Sequence, residues 1–236
     1  MKSGFSLINQ KMQIQVFHSS STGNLYRVDD LIIDPGVPIK EIKKALDFKL
    51  SSIKGCLCSH FNMDHAKGAR DIMAAGVDLY CHKETALTLG LSGHRLHTIE
   101  SMKQFKIGDW TVKAFDLVHD VPCLGFIMAK GEEKVLYASD TNYIPYRFRG
   151  LTYILLGVNY DTKILANNIT RGYLHPEAGK RILRHHMSLD TAKGFFKAND
   201  MGKVNEIYLL HLSDGNSDAE HFRNEIQGIT GIPVYV

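Results

Sequence analysis

The 236-residue sequence has only four cysteines, six prolines and one tryptophan, and almost no net charge. Its 28 Lys and Arg against 25 Asp and Glu leave a formal +3, too little to imply a nucleic-acid or membrane partner by itself. The longest apolar stretches, 153–158 and 207–212, fall far short of the roughly 18 residues that span a bilayer, so no membrane partner is expected. Near the start there is only the brief apolar patch 5–8 and no small-residue cleavage site, so a protein that stays in the cytoplasm is expected. Cys56 and Cys58 lie two apart in an apolar run, where they share a face and read, with Cys81 and Cys123, as buried reduced thiols. Neither G-x-G-x-x-G after the first strand nor a P-loop is present, which disfavours a doubly wound nucleotide-binding fold.

What the chain does have is short strand-like runs: 12–17, 23–28, 30–34, 53–58, 77–81, 104–107, 110–118, 123–129, 134–139, 153–158 and 205–211. Turn signals such as Asp34-Pro35-Gly36 and Gly108-Asp109 punctuate them. Helical periodicity covers 38–46, 66–75, 83–89, 176–185, 189–199 and 217–228, with Pro176, Ser188 and Ser217 marking starts. Without repeats or Gly/Ser linkers, this predicts one domain over 12–236 preceded by a loosely held extension over 1–11. The mixture suggests an α/β sandwich, two sheets covered by helices.

Twelve histidines are the more telling feature, because imidazole is the commonest metal ligand and a frequent acid or base. The apolar run 53–58 stops at Ser59-His60-Phe61-Asn62-Met63-Asp64-His65, two imidazoles, a carboxylate and an amide together. His60 and Asn62 can face one way and Asp64 and His65 a neighbouring point, which suits two adjacent cations better than one. His119, Asp140 and His211 each end a strand-like run, and strand ends in mixed α/β folds gather where sites are built.

Asp34 in Leu31-Ile32-Ile33-Asp34-Pro35-Gly36, the 60–65 cluster, His119, Asp140 and His211 resemble, in order and context, the five motifs of the metallo-β-lactamase superfamily. The resemblance implies a four-layer αββα sandwich and two divalent ions, zinc or manganese. It implies that His60, Asn62 and His119 hold one ion, that Asp64, His65 and His211 hold the other, that Asp140 bridges them, and that Asp34 ties the loop beneath. The family pattern is H-x-H-x-D-H, and Asn62 stands at its second His. An amide oxygen suits harder ions better than zinc, so a weakened or metal-selective first site is expected.

The ligand set alone leaves the substrate open. His186-Met187-Ser188-Leu189-Asp190-Thr191-Ala192 resembles the His-x-Ser…Ala signature of the transfer-RNA 3′-processing enzymes and YycJ-like exonucleases, in which the His serves phosphodiester cleavage. His18 to Asn24 resembles the Ser-rich loop and Gly-Asn of the YycJ-like proteins, and Leu210 to Asn216 their closing motif. Asn159-Tyr160-Asp161 falls where they have Asn-His-Asp. The interval 140–211 is too short for the inserted second domain of the long RNA-processing members. Ser20, Ser21, Asn24, Asn159 and Ser188 are therefore candidate substrate contacts, Asp64 and His186 candidate catalytic groups. Tyr143, Tyr146, Arg147, Phe148 and Arg149 either stack bases or pack on the domain. His82, His94, His97, His175, His185 and His221 carry no motif and read as structural or exposed.

The function expected is a metal-dependent phosphodiesterase, a 5′ to 3′ exonuclease-like enzyme in which two ions share a hydroxide, Asp64 orients it and His186 assists the leaving oxygen. The alternatives are a phosphodiesterase of small cyclic nucleotides and a metal-impaired protein that grips nucleic acid without cutting. A lactam, thioester or lactone hydrolase ranks third among enzymes. The expected partner is a nucleic-acid or nucleotide substrate, and exposed apolar helix faces leave room for a homodimer.

Overall fold

The computed structural model describes residues 12–236, and the extension expected over 1–11 lies outside the described residues. One sheet holds β1 (Ile14–Ser20), β2 (Gly23–Val28), β3 (Leu31–Ile33), β4 (Gly55–Cys58), β5 (Leu79–His82) and β6 (Leu96–Ile99) in chain order. The other holds β7 (Gln104–Ile107), β8 (Trp110–Asp116), β9 (Leu124–Lys130), β10 (Glu133–Ala138), β11 (Tyr153–Gly157), β12 (Glu206–Leu210) and β13 (Val234–Tyr235). Helices α1 (Ile39–Ala45), α2 (Met63–Ala66), α3 (Ala69–Ala74) and α4 (Lys83–Thr88) link strands of the first sheet. The second sheet carries α5 (Thr162–Thr170), α6 (Pro176–His185), α7 (Leu189–Ala198) and α8 (Ala219–Thr230).

Period-two alternation sorts the strand side chains into layers. Leu31 and Ile33 point between the sheets, where they meet Trp110, Phe126 and Tyr137, while Ile32 joins Cys56, Ile42 and Ile72 under the helices of the first sheet. On the far side, Leu136, Ile154 and Leu209 pack against Phe195 and Phe196 of α7 and Phe222 of α8. The result is a four-layer αββα sandwich. Burying each such side chain stabilises the fold by about 1.5–3 kcal/mol, which fixes strand register, because a one-residue slip would reverse every strand face. The four cysteines are free and buried. No helix among the described residues is long and apolar enough to cross a membrane.

Strand direction then gathers the polar strand ends. β3 and β4 are parallel. β9 is antiparallel to both β8 and β10, so β8 and β10 run the same way, and β11 and β12 are parallel to β10. Asp34, His60, His119, Asp140, Asn159 and His211 each follow the C-terminal end of one of these strands.

Several elements differ from the sequence reading. The helix expected over 66–75 is two short helices broken at Gly68, whose N–H bonds to the Pro35 carbonyl at 2.7 Å and where an added Cβ would lie 2.6 Å from the Val37 carbonyl. Residues 18–24 form the β1–β2 hairpin rather than an open loop, with Ser20 opposite Gly23. The last helix starts at Ala219, capped by Asp218 accepting from the His221 N–H at 2.9 Å, not at Ser217. β6, α5 and β13 are additional, and the strand expected over 110–118 ends at Asp116.

Candidate metal centre

The site begins beneath the cluster, at Asp34. This residue turns out of β3 with φ of 52°, a left-handed conformation that short polar side chains tolerate best. Its carboxylate accepts from the Ser59 N–H at 2.7 Å, the Ser59 hydroxyl at 2.8 Å, the Tyr137 hydroxyl, and His65 Nδ1 at 2.7 Å. The Nδ1 contact with Asp34 turns His65 Nε2 toward the cluster, 3.2 Å from Asp64 Oδ2, and a histidine held in this way can ligate a metal once Nε2 gives up its proton. Two residues on, Gly36 lies so close to α2 that a Cβ there would meet the Asp64 carbonyl oxygen at 1.7 Å. Only glycine lets the Asp34-Pro35-Gly36 turn press α2 into place.

Above this support two groups of ligand atoms converge. Asp64, His65, Asp140 and His211 form one, and His60, His119 and Asp140 the other, each with its atoms within 4.8 Å of one another. Asp140 belongs to both. Its Oδ2 lies 3.4 Å from His65 Nε2, 3.9 Å from His119 Nε2 and 4.0 Å from His60 Nε2, and its Oδ1 lies 3.6 Å from His211 Nε2. His60 Nε2 and Asp140 Oδ1 are buried without a hydrogen-bond partner. Buried polar atoms are rarely left so, and cations between them would satisfy both, so the residues present fit divalent metal ions.

Asn62 lines the same cavity. It sits at the N-cap of α2, where an asparagine ordinarily caps the helix, but its side chain makes no capping bond and stays free to face the cluster. His211 also has a left-handed backbone, φ of 56°, and is held by Ser19 Oγ accepting its N–H at 2.8 Å and by Asn159 Nδ2 donating to its carbonyl at 2.7 Å. Such local strain persists where neighbours over-determine the conformation.

The charges pull against burial. Burial raises the Asp140 carboxyl, but His211 and His65 outweigh it and hold the group well below the usual carboxylate range. Asp64 behaves alike, lowered by hydrogen bonds from His211 and His65 against its burial. Burial works to lower His65 and His211, yet the carboxylates prevail, Asp140 foremost, and raise both. His60 is held down at about 3 by burial and by repulsion from His65.

The structure sorts the remaining candidates. His186 lines the cavity, stacked on His211 with centroids 5.3 Å apart and edge-on to His119 at 6.5 Å. It is carried there by a parallel bridge between Tyr160 and Ser188. Ser21 lines this cavity of about 350 Å³, and Ser20 and Asn159 line an adjoining one of about 270 Å³. Asn24 and Ser188 do not line either. Asn24 is wholly buried, bonding the Ser20 and Asp64 carbonyls, and the Ser188 hydroxyl caps α7 by accepting from the Thr191 N–H at 3.1 Å. Of the aromatic and basic cluster, Tyr146 and Phe148 pack on the core beside Phe115, while Tyr143, Arg147 and Arg149 are exposed. His185, read as structural or exposed, lines the cavity instead, and Tyr137 and Asp120 are site neighbours that no sequence spacing marks.

A family model described as the beta-lactamase superfamily domain matches residues 30–211, from the turn before β3 to His211 at the end of β12. The chain belongs to the metallo-β-lactamase superfamily. Among solved structures, it is similar to the metallo-β-lactamase fold protein YhfI from Bacillus subtilis, at 15% identity and TM-score 0.69, with 95% of each chain covered. It is also similar to zinc-bound PqqB from Methylobacterium extorquens, at 10% identity and TM-score 0.68, covering 94% of this chain and 96% of that one. Human short-form tRNase Z gives 12% identity and TM-score 0.58, with 85% and 93% covered. Comparison with curated proteins gives no match. These likenesses establish the metallo-hydrolase fold.

Proposed function

We propose that this member of the superfamily is a divalent-cation-dependent phosphodiesterase, most like a 5′ to 3′ exonuclease, acting on nucleic acid. The observation that carries the reading is His186, whose ring stands over the Asp140-centred cluster between His211 and His119. Phosphodiester cleavage expels an alkoxide, a poor leaving group, and a donor at that place lowers its barrier. The fold likeness to human tRNase Z is in keeping with this reading.

His60, Asn62, His119 and Asp140 would hold one ion, zinc or manganese, and Asp64, His65, Asp140 and His211 the other. Bound there, such ions supply Lewis acidity toward phosphoryl oxygens and acidify water. The chain's own groups do the rest. Asp64, ionised at neutral pH, accepts a hydrogen bond from the attacking water and orients it. Burial holds His186 down at about 4, so its ring meets substrate neutral, offering an N–H that stabilises the departing oxygen as charge develops. The Ser21 hydroxyl, at the hairpin tip, is a donor for a phosphoryl oxygen. A second reading, hydrolysis of small cyclic nucleotides, draws on the cavity's size of about 350 Å³, which suits a single nucleotide.

The test compares thymidylyl-thymidine with thymidine 5′-p-nitrophenyl phosphate in the His186→Ala variant. The dinucleotide should lose roughly 100-fold or more in kcat/KM, the size of one lost hydrogen-bond donor to developing negative charge, and the aryl ester, with its good leaving group, less than tenfold. Equal losses would overturn the leaving-group role. Cleavage of cyclic nucleotides with DNA untouched would favour the second reading.

A further inference from the structure

α6 lies along the cavity, and its wall residues are Ala178, Arg181, Ile182 and His185, the i, i+3, i+4, i+7 stripe of one helix face. Ala178 leaves room, and Arg181 and His185 stand one turn apart, about 6 Å along the axis. The only acidic residue on α6 is Glu177, which pairs with Lys180 at 2.7 Å. Among the described residues no carboxylate lies within 4.0 Å of Arg181, and the carboxylates lining its cavity are Asp64 and Asp140, both in the cation cluster. An exposed guanidinium that lines the cavity and has no carboxylate partner among the described residues is placed for an external anion, and its planar fork suits phosphate oxygens.

The rest of the wall is fixed. Asn142, two residues past Asp140, donates from Nδ2 to the Leu183 carbonyl at 2.8 Å and to the Arg184 carbonyl at 3.2 Å, anchoring the last turn of α6. Asp120 lies 2.7 Å from His119 Nδ1 and, through its other oxygen, 3.7 Å from His185 Nε2. His185 is thereby held beside a ligand of the cluster, its ring centroid 5.3 Å from that of His119.

We infer that Arg181 and His185 form a second anion subsite, which binds a phosphate other than the one cleaved. The preferred substrate is then a phosphoester carrying a further phosphate, as each internal nucleotide of a polynucleotide does. This deepens the phosphodiesterase reading and rests on it.

The test uses a matched pair: thymidine 5′-p-nitrophenyl phosphate and the same ester bearing a 3′-phosphate. The wild-type protein should prefer the bisphosphate ester by about tenfold or more in kcat/KM. Arg181→Ala and Arg181→Gln should bring that ratio near one, Arg181→Lys should keep part of it, and Lys180→Ala should leave it unchanged. A ratio that survives Arg181→Ala, or a wild type that shows no preference, overturns the subsite. If neither ester is cleaved, the phosphodiesterase reading fails, and titration calorimetry with thymidine 3′,5′-bisphosphate and thymidine 5′-monophosphate still decides the subsite. Tighter binding of the bisphosphate, lost in Arg181→Ala, sustains it, and equal affinities overturn it.

Discussion

Replacing Asp34 with asparagine changes one oxygen for an NH2 at the point where four donors converge. The amide oxygen keeps the Ser59 N–H. The Ser59 and Tyr137 hydroxyls can rotate and accept from the new NH2. His65 cannot rotate out of the conflict, because its Nδ1–H would face a donor at 2.7 Å. The ring escapes only by moving its proton to Nε2, the atom that faces Asp64 at 3.2 Å and Asp140 at 3.4 Å. Losing one buried hydrogen bond to a charged group costs about 1.5–3 kcal/mol of stability. Metal affinity in the Asp64, His65, Asp140 and His211 group should fall about 10- to 100-fold, the usual penalty for removing the partner that orients a ligating histidine. The His60 and His119 group should be spared. Urea unfolding of the metal-stripped protein measures the first effect, and competition with a fluorescent chelator measures the second at each step. A variant that loses stability yet binds both equivalents as the parent does would refute the tautomer argument.

Asn62→His restores an imidazole to the His60 and His119 group and should tighten the weaker binding step for zinc at least tenfold; activity that appears only in this variant would favour the metal-impaired binding reading. Metal binding should also release protons, because His65 and His211 carry raised values and must give up their protons to ligate. In the metal-free protein these two histidines stabilise the fold below the unfolded value of about 6.5 and lose that contribution as pH rises through their folded values, so cation affinity should increase with pH over that window. Calorimetry in two buffers of different ionisation enthalpy should find protons released as metal binds, and no release would contradict the assignment. Asp120→Asn, which weakens the carboxylate that holds His119 and His185 together, should lower cation affinity in the His60 and His119 group about tenfold by chelator competition.

Much of the candidate site is legible because the residues of its His and Asp cluster follow strand ends. A polar residue that abruptly stops an apolar run, as His60, Asp140 and His211 do, signals both the end of pairing and a place on the sheet edge. Asp34-Pro35-Gly36 was legible as a turn, though not the reason for its glycine, which is the approach of Asp64 from elsewhere in the chain. The pairing of His185 with Asp120 was hidden, since it depends on how α6 crosses the second sheet. Asn24 and Ser188, expected to contact substrate, make bonds within the protein instead, because a small polar side chain serves equally well as buried scaffolding or helix cap. In α5, Asn167, Asn168 and Thr170 dilute the helical pattern, and the helix is fixed instead by Asp161 accepting from the Lys163 and Ile164 N–H groups. β6 is short and carries His97 and Thr98, so its alternation is too weak to read alone.

On the reading proposed above, the two groups that share Asp140 act together on a phosphodiester. The most direct measurement is a stepwise manganese or zinc titration of metal-stripped protein, following hydrolysis of bis(p-nitrophenyl) phosphate beside the Asp140→Asn variant. Activity should rise steeply only with the second equivalent and should be lost in the variant. Activity in the stripped protein, saturation at one equivalent, or an active Asp140→Asn protein would contradict the account.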